Sequence, residues 1–455
     1  MSEPTPARIG AAPTEPSTAY MAQLDEEREV ALRTQSHPGS DHEGAPAALL
    51  SRLEEEIDRL GPELVETMID LAEHPEVAFE EHRSAAAIVA VLAAHGIEAQ
   101  LGVHGLDTAI RAEIRGTGAD DAPTVAVLSE YDALPGVGHG CGHNVIAVMG
   151  LGAFLGLAEL ARRDPSAVPG TVVFLGTPAE EGHTGKEYMA REGAFDGIDA
   201  AVMAHGYPGY DLADQVWLGR RTLTVEFHGH TAHASAQPFM GRNALDAASL
   251  MYQGIGLMRQ QTPPSDRIHA VIREGGERAS VVPDRAKLDL YVRSQRPETL
   301  KDLSRRVEDV AHGAALMAGV GVTVTWDHHP ASLPVRTNEA LTGRWVEAQR
   351  HRGRDPLPLG VVSTTLAAST DFGNVSYRLP GMHPLIQIAP ADVALHTREF
   401  AAESTSPAAR AAATDGSYGL AATLLDVLHD EALAAAVAEE FAHSGGAIDV
   451  PSFFD

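Results

Sequence analysis

Cys141 and His143 stand two residues apart in the glycine-rich stretch EYDALPGVGHGCGHN, residues 130–144, and Cys141 is the only cysteine of the 455 residues. A thiolate and an imidazole at that spacing in a tight turn can converge on one metal ion, with His139 as a further donor. Alone, such a pair is more often a small buried thiol beside an ordinary loop histidine. Two downstream groups change that weighing: TPAEEG at 177–182 offers Glu180 and Glu181, and MAHG at 203–206 offers His205. In isolation each reads as a solvated acidic turn or a satisfied loop histidine. Together with Glu130 and Asp132 they have the composition of a dinuclear metal centre.

The elements that must position these residues are three short β-rich runs, 124–128, 171–175 and 200–203, each bounded by turn residues. They read as buried parallel strands, with helices starting near Asn144 and Gly185 between them. Each run ends directly in one of the polar clusters. Ligands of open α/β sheets bind at the carboxyl ends of the strands, so the three clusters are expected to meet in one crevice. Ahead of the strands, apolar residues recur at helical spacing over 46–71, a second helix fits 83–95, and a strand fits 108–114. The longest uncharged apolar run, 145–158, falls short of the roughly 20 residues needed to cross a bilayer and reads as a buried helix under the cysteine loop.

After Gly219 the texture changes. Strands at 221–228, 267–273, 287–293 and 321–327, with helices at 243–260 and 300–317, give the order βαββαβ of a compact α+β sandwich. The expectation is an α/β protein with a largely parallel sheet flanked by helices, interrupted by an inserted α+β lid or dimerisation domain. Its boundaries are a disordered tail over 1–44, a catalytic domain over 45–218, the lid over 219–333, the rest of the catalytic domain over 334–441, and a flexible tail over 442–455. A strand at 385–388 and a single final helix over 406–440 belong to the returning segment.

An apolar share of 44% supplies full cores for two or three domains. A formal net charge of -29 argues against nucleic acid or an anionic membrane as partner, because both would repel the chain. A small-molecule partner is the expectation. One cysteine excludes an intrachain disulfide framework and suits a reducing cytoplasm, and the N-terminus lacks the basic-then-apolar pattern of a signal peptide.

Seven motifs in order carry a resemblance: HPEVAFEE (74–81), the cysteine loop, TPAEEG, MAHG, GHTAHASAQPFMGRNALDAA (229–248), REGGERASVVPD (273–284) and ALHTREF (394–400). Over about residues 46–440 the chain resembles the aminoacylase, carboxypeptidase G and carnosine dipeptidase superfamily of metallohydrolases. Within it the Cys-Gly-His form resembles the amidohydrolase branch, and CGHN before a long apolar helix resembles the p-aminobenzoyl-glutamate hydrolase and β-alanyl dipeptidase subgroup. The resemblance implies Cys141, His143, Glu181, His205 and His396 as metal ligands, Glu180 as general acid/base and His233 as the lid histidine. It implies Arg293 as the substrate-carboxylate arginine, with Ser280 and Asp132 also on the substrate side, Asp132 matching the acid that supports a ligand in YDALP. Where relatives usually have Asn before the VVP, this chain has Ser280, and where the glutamate-specific carboxypeptidases have Arg-Pro it has His329-Pro330. Both changes weaken glutamate as the leaving group.

These parts imply a dinuclear metal-dependent amidohydrolase or dipeptidase acting on small N-acyl or N-aminoacyl amino acids, dipeptide-like or aminobenzoyl-glutamate-like. Two divalent ions, zinc or manganese with cobalt or nickel as alternatives, would hold a bridging water whose pKa falls to about 7. Glu180 would take its proton and hand it to the leaving amine, and His233 would hydrogen-bond the developing oxyanion. His383, His139 and His183 are rivals as ligands or as groups that support one, and of these His383 challenges His396 most. A homodimer through the lid is implied by the same resemblance. The alternatives are a hydrolase of a non-peptide C–N bond such as an aryl amine, and a non-catalytic metal-dependent binding protein.

Overall fold

A strand covered on both faces has no polar side to show, and the segment Thr171–Gly176 is buried at all six positions. The computed structural model describes residue 13, residues 15–118 and residues 122–454. Its strands, in chain order, are β1 (Ala99–Leu101), β2 (Ile110–Arg115), β3 (Thr124–Ser129), β4 (Thr171–Gly176), β5 (Ala200–Val202), β6 (His205–Pro208), β7 (Gly219–His228), β8 (Arg267–Glu274), β9 (Arg285–Ser294), β10 (Gly321–Trp326), β11 (Gly381–Met382) and β12 (Leu385–Ala389). The main sheet has the order β1-β2-β4-β3-β5-β11. β3 runs parallel to both β4 and β5, and β11 runs parallel to β5, so the centre is the parallel sheet the apolar runs predict. β1 and β2 form an antiparallel edge.

The helix His143–Arg163 packs against helices Ala47–Glu73 and Pro407–His429 and against β3. Every residue from His143 to Leu160 is buried. Glycine is what lets it lie so close: a Cβ on Gly150 would stand 2.6 Å from the Leu128 carbonyl oxygen. By length and mean hydropathy this helix could cross a membrane, but 89% of its apolar window is buried inside the fold, which makes it a core helix.

Residues between β7 and β10 build a four-stranded antiparallel sheet of order β10-β7-β9-β8. β7 alternates buried and half-buried positions, the pattern of a sheet with one covered face. That face, with Leu223, Val225 and Phe227, packs on helices Ala244–Met258 and Pro297–Ala318 and forms a core separate from that of the main sheet.

The chain departs from expectation at both ends. Ala19–Thr34 is a helix, and residues 37–45 are tied down, where a disordered tail was expected. Arg350 and Arg344 donate to the carbonyl oxygens of His37 and His42, each at 2.7 Å, while the amides of Gly44 and Ala45 donate to Asp430 and Asp426. These partners lie some 300 to 390 positions away, so no local reading could reveal them. The expected disorder over residues 1–12 and at 14 lies outside the described residues. At the other end Ile448 N–H donates to Tyr377 O at 2.7 Å, and Phe454 stacks under the Arg221 guanidinium at 4.3 Å. The single helix expected over 406–440 is two, Pro407–His429 and Glu431–His443, because Asp430 caps the second by accepting from Leu433 N–H. β6 and β12 pair in parallel as a small separate sheet that the sequence did not announce.

Candidate metal centre

Each polar cluster arrives at the end of a main-sheet strand. β3 ends at Ser129, whose hydroxyl donates to Ala147 O at 3.0 Å and so ties the strand to the core helix. Glu130 and Asp132 follow, then the loop whose Gly142 lies in the left-handed region at φ +80°, leaving His143 as the first residue of the helix. β4 delivers Glu180 and Glu181 through a loop that places Ala179 at φ +61°, an unfavourable backbone for a residue with a Cβ. Glu81 holds it there: one of its oxygens accepts from both Phe79 N–H and Ala179 N–H at 2.9 Å, and the other accepts from the Thr108 hydroxyl at 2.8 Å. β5 leads to His205, whose amide donates to Pro384 O beside β12. His396, at φ +64°, is fixed by its own amide donating to Gly140 O in the cysteine loop.

The donor atoms of Cys141, His143 and His205 lie within 4.8 Å of one another, as do those of Cys141, Glu181 and His396, and those of His143, Glu180 and Glu181. Sharing of Cys141, His143 and Glu181 between groups is what two neighbouring ions need. Asp132 Oδ1 at 3.0 Å holds His143 Nδ1 and Gly206 O at 2.6 Å holds His205 Nδ1, so both rings turn Nε2 towards the cluster. His205 Nε2 is 3.5 Å from Cys141 Sγ, and His396 Nε2 is 3.5 Å from Glu181 Oε1. The residues fit a cation. Glu130 Oε2, His143 Nε2 and Glu181 Oε1 are all buried without a hydrogen-bond partner, which is costly unless something positive stands between them.

The charges say the same. Burial, then the neighbouring carboxylate of Glu181, pushes the Cys141 thiol well above its ordinary range, so the thiolate needs a cation to exist. Burial lowers His205 to about 4, leaving it a neutral imidazole with a free lone pair. His143 differs: burial opposes its protonation, but Asp132 and then Cys141 outweigh burial and raise the pKa well above that of a free histidine, so a metal must displace the Nε2 proton to bind there. Burial, then Glu130 and Glu181, raises Glu180 well above the carboxylate range.

Several residues here were missed by sequence reasoning. Lys186, fully buried, donates to Glu130 Oε1 and, at 2.6 Å, to Asp371 Oδ1, while its amide donates to Asp371 Oδ2. It is the one ammonium facing the carboxylates of Glu130, Glu180 and Asp371 among the described residues. Glu130 was legible at a strand end and Glu81 closes the motif HPEVAFEE, though without a role; nothing near Lys186 or Asp371 in the sequence marks them as partners.

Cys141, Glu180, Glu181, His205, Arg293 and His396 line one cavity of about 350 Å³, with Trp217, Arg220 and Tyr291 on its walls. His143 lies fully buried behind it. Asp132 is not a substrate contact: it is 1% exposed, one oxygen holds His143 and the other accepts from Glu181 N–H at 2.9 Å. His233 and Ser280 are not brought to this cavity. They sit together, exposed, in loops of the unit built on the four-stranded sheet, where Ala234 N–H donates to Ser280 O and His233 Nδ1 accepts from Ala236 N–H. The rival histidines join no donor group: His383 is stacked on Phe372 at 5.0 Å, His183 packs edge-on to His329 at 4.4 Å, and His139 is buried nearby.

Residues 126–413 match the sequence pattern of peptidase family M20/M25/M40. The chain is 34% identical over 413 residues to an Xaa-Arg dipeptidase from Mus musculus, covering 89% of this chain and 95% of that protein. It is 29% identical over 429 residues to a p-aminobenzoyl-glutamate hydrolase chain from Escherichia coli strain K12, covering 79% and 88%. Among solved structures, a dinuclear metal-binding peptidase of the M20 family from Bacillus subtilis superposes with a TM-score of 0.60 at 21% identity, over 82% of this chain and 99% of that one.

Proposed function

Starting from the membership of this chain in peptidase family M20/M25/M40, a family of metal-dependent hydrolases, we propose that it cleaves the amide bond of small N-acyl or N-aminoacyl amino acids. Cys141, His143, Glu181, His205 and His396 hold two divalent ions, zinc or manganese by the softness of a thiolate and imidazole set with one carboxylate. The solved Bacillus subtilis neighbour binds two metals by its description, and both curated relatives carry an amino acid in the substrate their names state. When bound, such ions polarise a carbonyl and bring the pKa of a coordinated water to about 7.

The observation that carries the reading is the position of Glu180. Its carboxyl lines the cavity and reaches the donor atoms of His143 and Glu181, while the adjacent Glu181 also turns an oxygen towards His396. As a carboxylate a group at that place can take a proton from the attacking water, and as the acid it can give it to the leaving nitrogen, without which an amide anion is too basic to depart. Trp217 and the strand pair β7 and β9 wall the cavity and restrict water. The exposed His233 and Ser280 face completes the site of a second copy in a homodimer joined through the lid, in a reducing cytoplasm that keeps Cys141 available.

The test is a panel of N-acyl and N-aminoacyl amino acids given to the metal-loaded protein with and without chelator, alongside Glu180→Gln. The expected result is chelator-sensitive hydrolysis, with the variant keeping its metals and its melting temperature but turning over roughly a hundredfold or more slowly. Metal loss in Glu180→Gln would exchange the roles of Glu180 and Glu181, and no hydrolysis anywhere in the panel would remove the reading.

A further inference from the structure

The cavity beside the donor cluster is walled on one side by two guanidiniums with no salt-bridge partner among the described residues; Asp327, the acid whose charge reaches Arg220, is paired with Arg221. Arg220 on β7 and Arg293 on β9 are direct register partners. Tyr291, two residues before Arg293, points to the same side of the sheet. Both guanidiniums stand by its ring, 5.8 and 5.1 Å from the centroid. All three residues line the cavity together with Cys141 and Glu180.

Among the described residues neither arginine makes an ion pair. Arg220 donates to the Thr184 hydroxyl at 3.0 Å, and Arg293 Nε is buried without a hydrogen-bond partner. The next residue along β7 shows the contrast: Arg221 is paired with Asp327 at 2.7 Å. Like charges directly opposite on a sheet repel, and a half-buried guanidinium loses hydration as well. Burial, then the charge of Arg220, lowers the pKa of Arg293, as expected of two cations waiting for an anion. Two planar forks facing one cavity suit a carboxylate, which can accept from both.

We infer that Arg220 joins Arg293 in a two-guanidinium seat for the free carboxylate of the substrate's amino-acid portion. The inference rests on the amide-hydrolase reading above, and it makes Arg220 a determinant of the preference for a free acid over its carboxamide. Tyr291 is the floor of the seat, and the Thr184 hydroxyl orients Arg220.

The metal-loaded protein and its Arg220→Met, Arg220→Lys and Arg293→Met variants are compared on one N-acyl amino acid and on the corresponding carboxamide. Arg220→Met is expected to raise KM for the acid about tenfold or more, the scale of one charge-assisted hydrogen bond, with kcat little changed and the carboxamide unaffected. Arg220→Lys should recover part of the loss, and metal content and melting temperature should match the parent. An Arg220→Met variant that keeps the parent's preference for acid over carboxamide overturns the inference, as does one that loses both substrates equally, which marks a structural role through Thr184. Calorimetry with a ketomethylene analogue, acid against carboxamide, reads the seat without turnover. Acid-selective binding that depends on Arg220 with no amide cleaved keeps the seat and removes the catalytic reading. Cleavage without acid preference does the reverse, and inorganic sulfate competing as well as the acid analogue overturns the carboxylate assignment.

Discussion

A thiol enclosed with Glu180 and Glu181 is in the wrong surroundings to ionise by itself, and Cys141 therefore binds a metal or stays protonated. Cys141→Ser is expected to abolish activity through loss of metal, because a neutral hydroxyl does not replace a bound thiolate at neutral pH. Elemental analysis showing a full metal complement in an active variant would contradict this. Glu81 supports the site from behind, and its burial, with Asp132 nearby, pushes its pKa from 4.5 up to about 7. A folded-state pKa above the unfolded one means that stability is fully present below pH 4.5 and is lost as pH rises through about 7. Glu81→Gln keeps an acceptor for the Phe79 and Ala179 amides and can meet the Thr108 hydroxyl as a donor, as the protonated acid does. In metal-free protein the variant should match the parent near pH 4.5 and become the more stable by roughly 3 kcal/mol above pH 7, read by denaturant titration. A gap that does not change with pH would show that Glu81 titrates in the folded state as it does in the unfolded one, with no raised pKa.

The working unit among the elements is a strand end locked to a helix start. β3 carries Glu130 and Asp132 and is clamped to the core helix by Ser129, while that helix begins with His143. Their close approach depends on Gly150, where an added Cβ would meet the Ser129 hydroxyl and stand 2.6 Å from the Leu128 carbonyl oxygen. Alanine is the better helix former by about 1 kcal/mol, but crowding backbone in a filled core costs about 1–3 kcal/mol. Gly150→Ala should therefore be destabilised by up to about 2 kcal/mol and should lose turnover, because the strand that moves is the one leading into the polar cluster. Thermal melting and kcat check the two halves separately. A stable variant with full activity would show that the helix can shift without disturbing the strand end.

At the scale of the molecule the question is where His233 works. It is exposed on the unit built on the four-stranded sheet, in a different element set from every donor in the cluster, and outside the cavity of its own chain. We propose that two copies pair about a two-fold axis, the commonest form of self-association, and that the pairing brings His233 to the partner's cavity. Mixing Glu180→Gln and His233→Ala protomers then creates dimers with one doubly defective site and one intact site. Random reassortment makes half the dimers mixed, so roughly a quarter of the parent activity should return. If His233 serves its own chain, mixing restores nothing once protomer exchange is confirmed.

The strand runs at 124–128, 171–175 and 200–203 were legible because a buried parallel strand must be apolar at nearly every position, and the half-exposed β7 because one covered face forces alternation. The metal chemistry was legible because a lone cysteine, paired acids and histidines fall at the ends of those runs, where the sheet opens. Local pattern could not say which atoms each donor turns inwards; that was decided by Asp132 and Gly206 O, which hold the far nitrogens of His143 and His205. Nor could it join Lys186 to Asp371, 185 positions apart, or set Arg220 opposite Arg293 through the pairing of β7 with β9. Composition misled at residues 19–45 because the groups that order this segment are Arg344, Arg350, Asp426 and Asp430, at the other end of the chain. Periodicity records which side of an element is covered, and so the amino-acid sequence determined the sheet, the lid and the kinds of donor. Which charge meets which is a matter of closing long loops, and only the tertiary structure decided it.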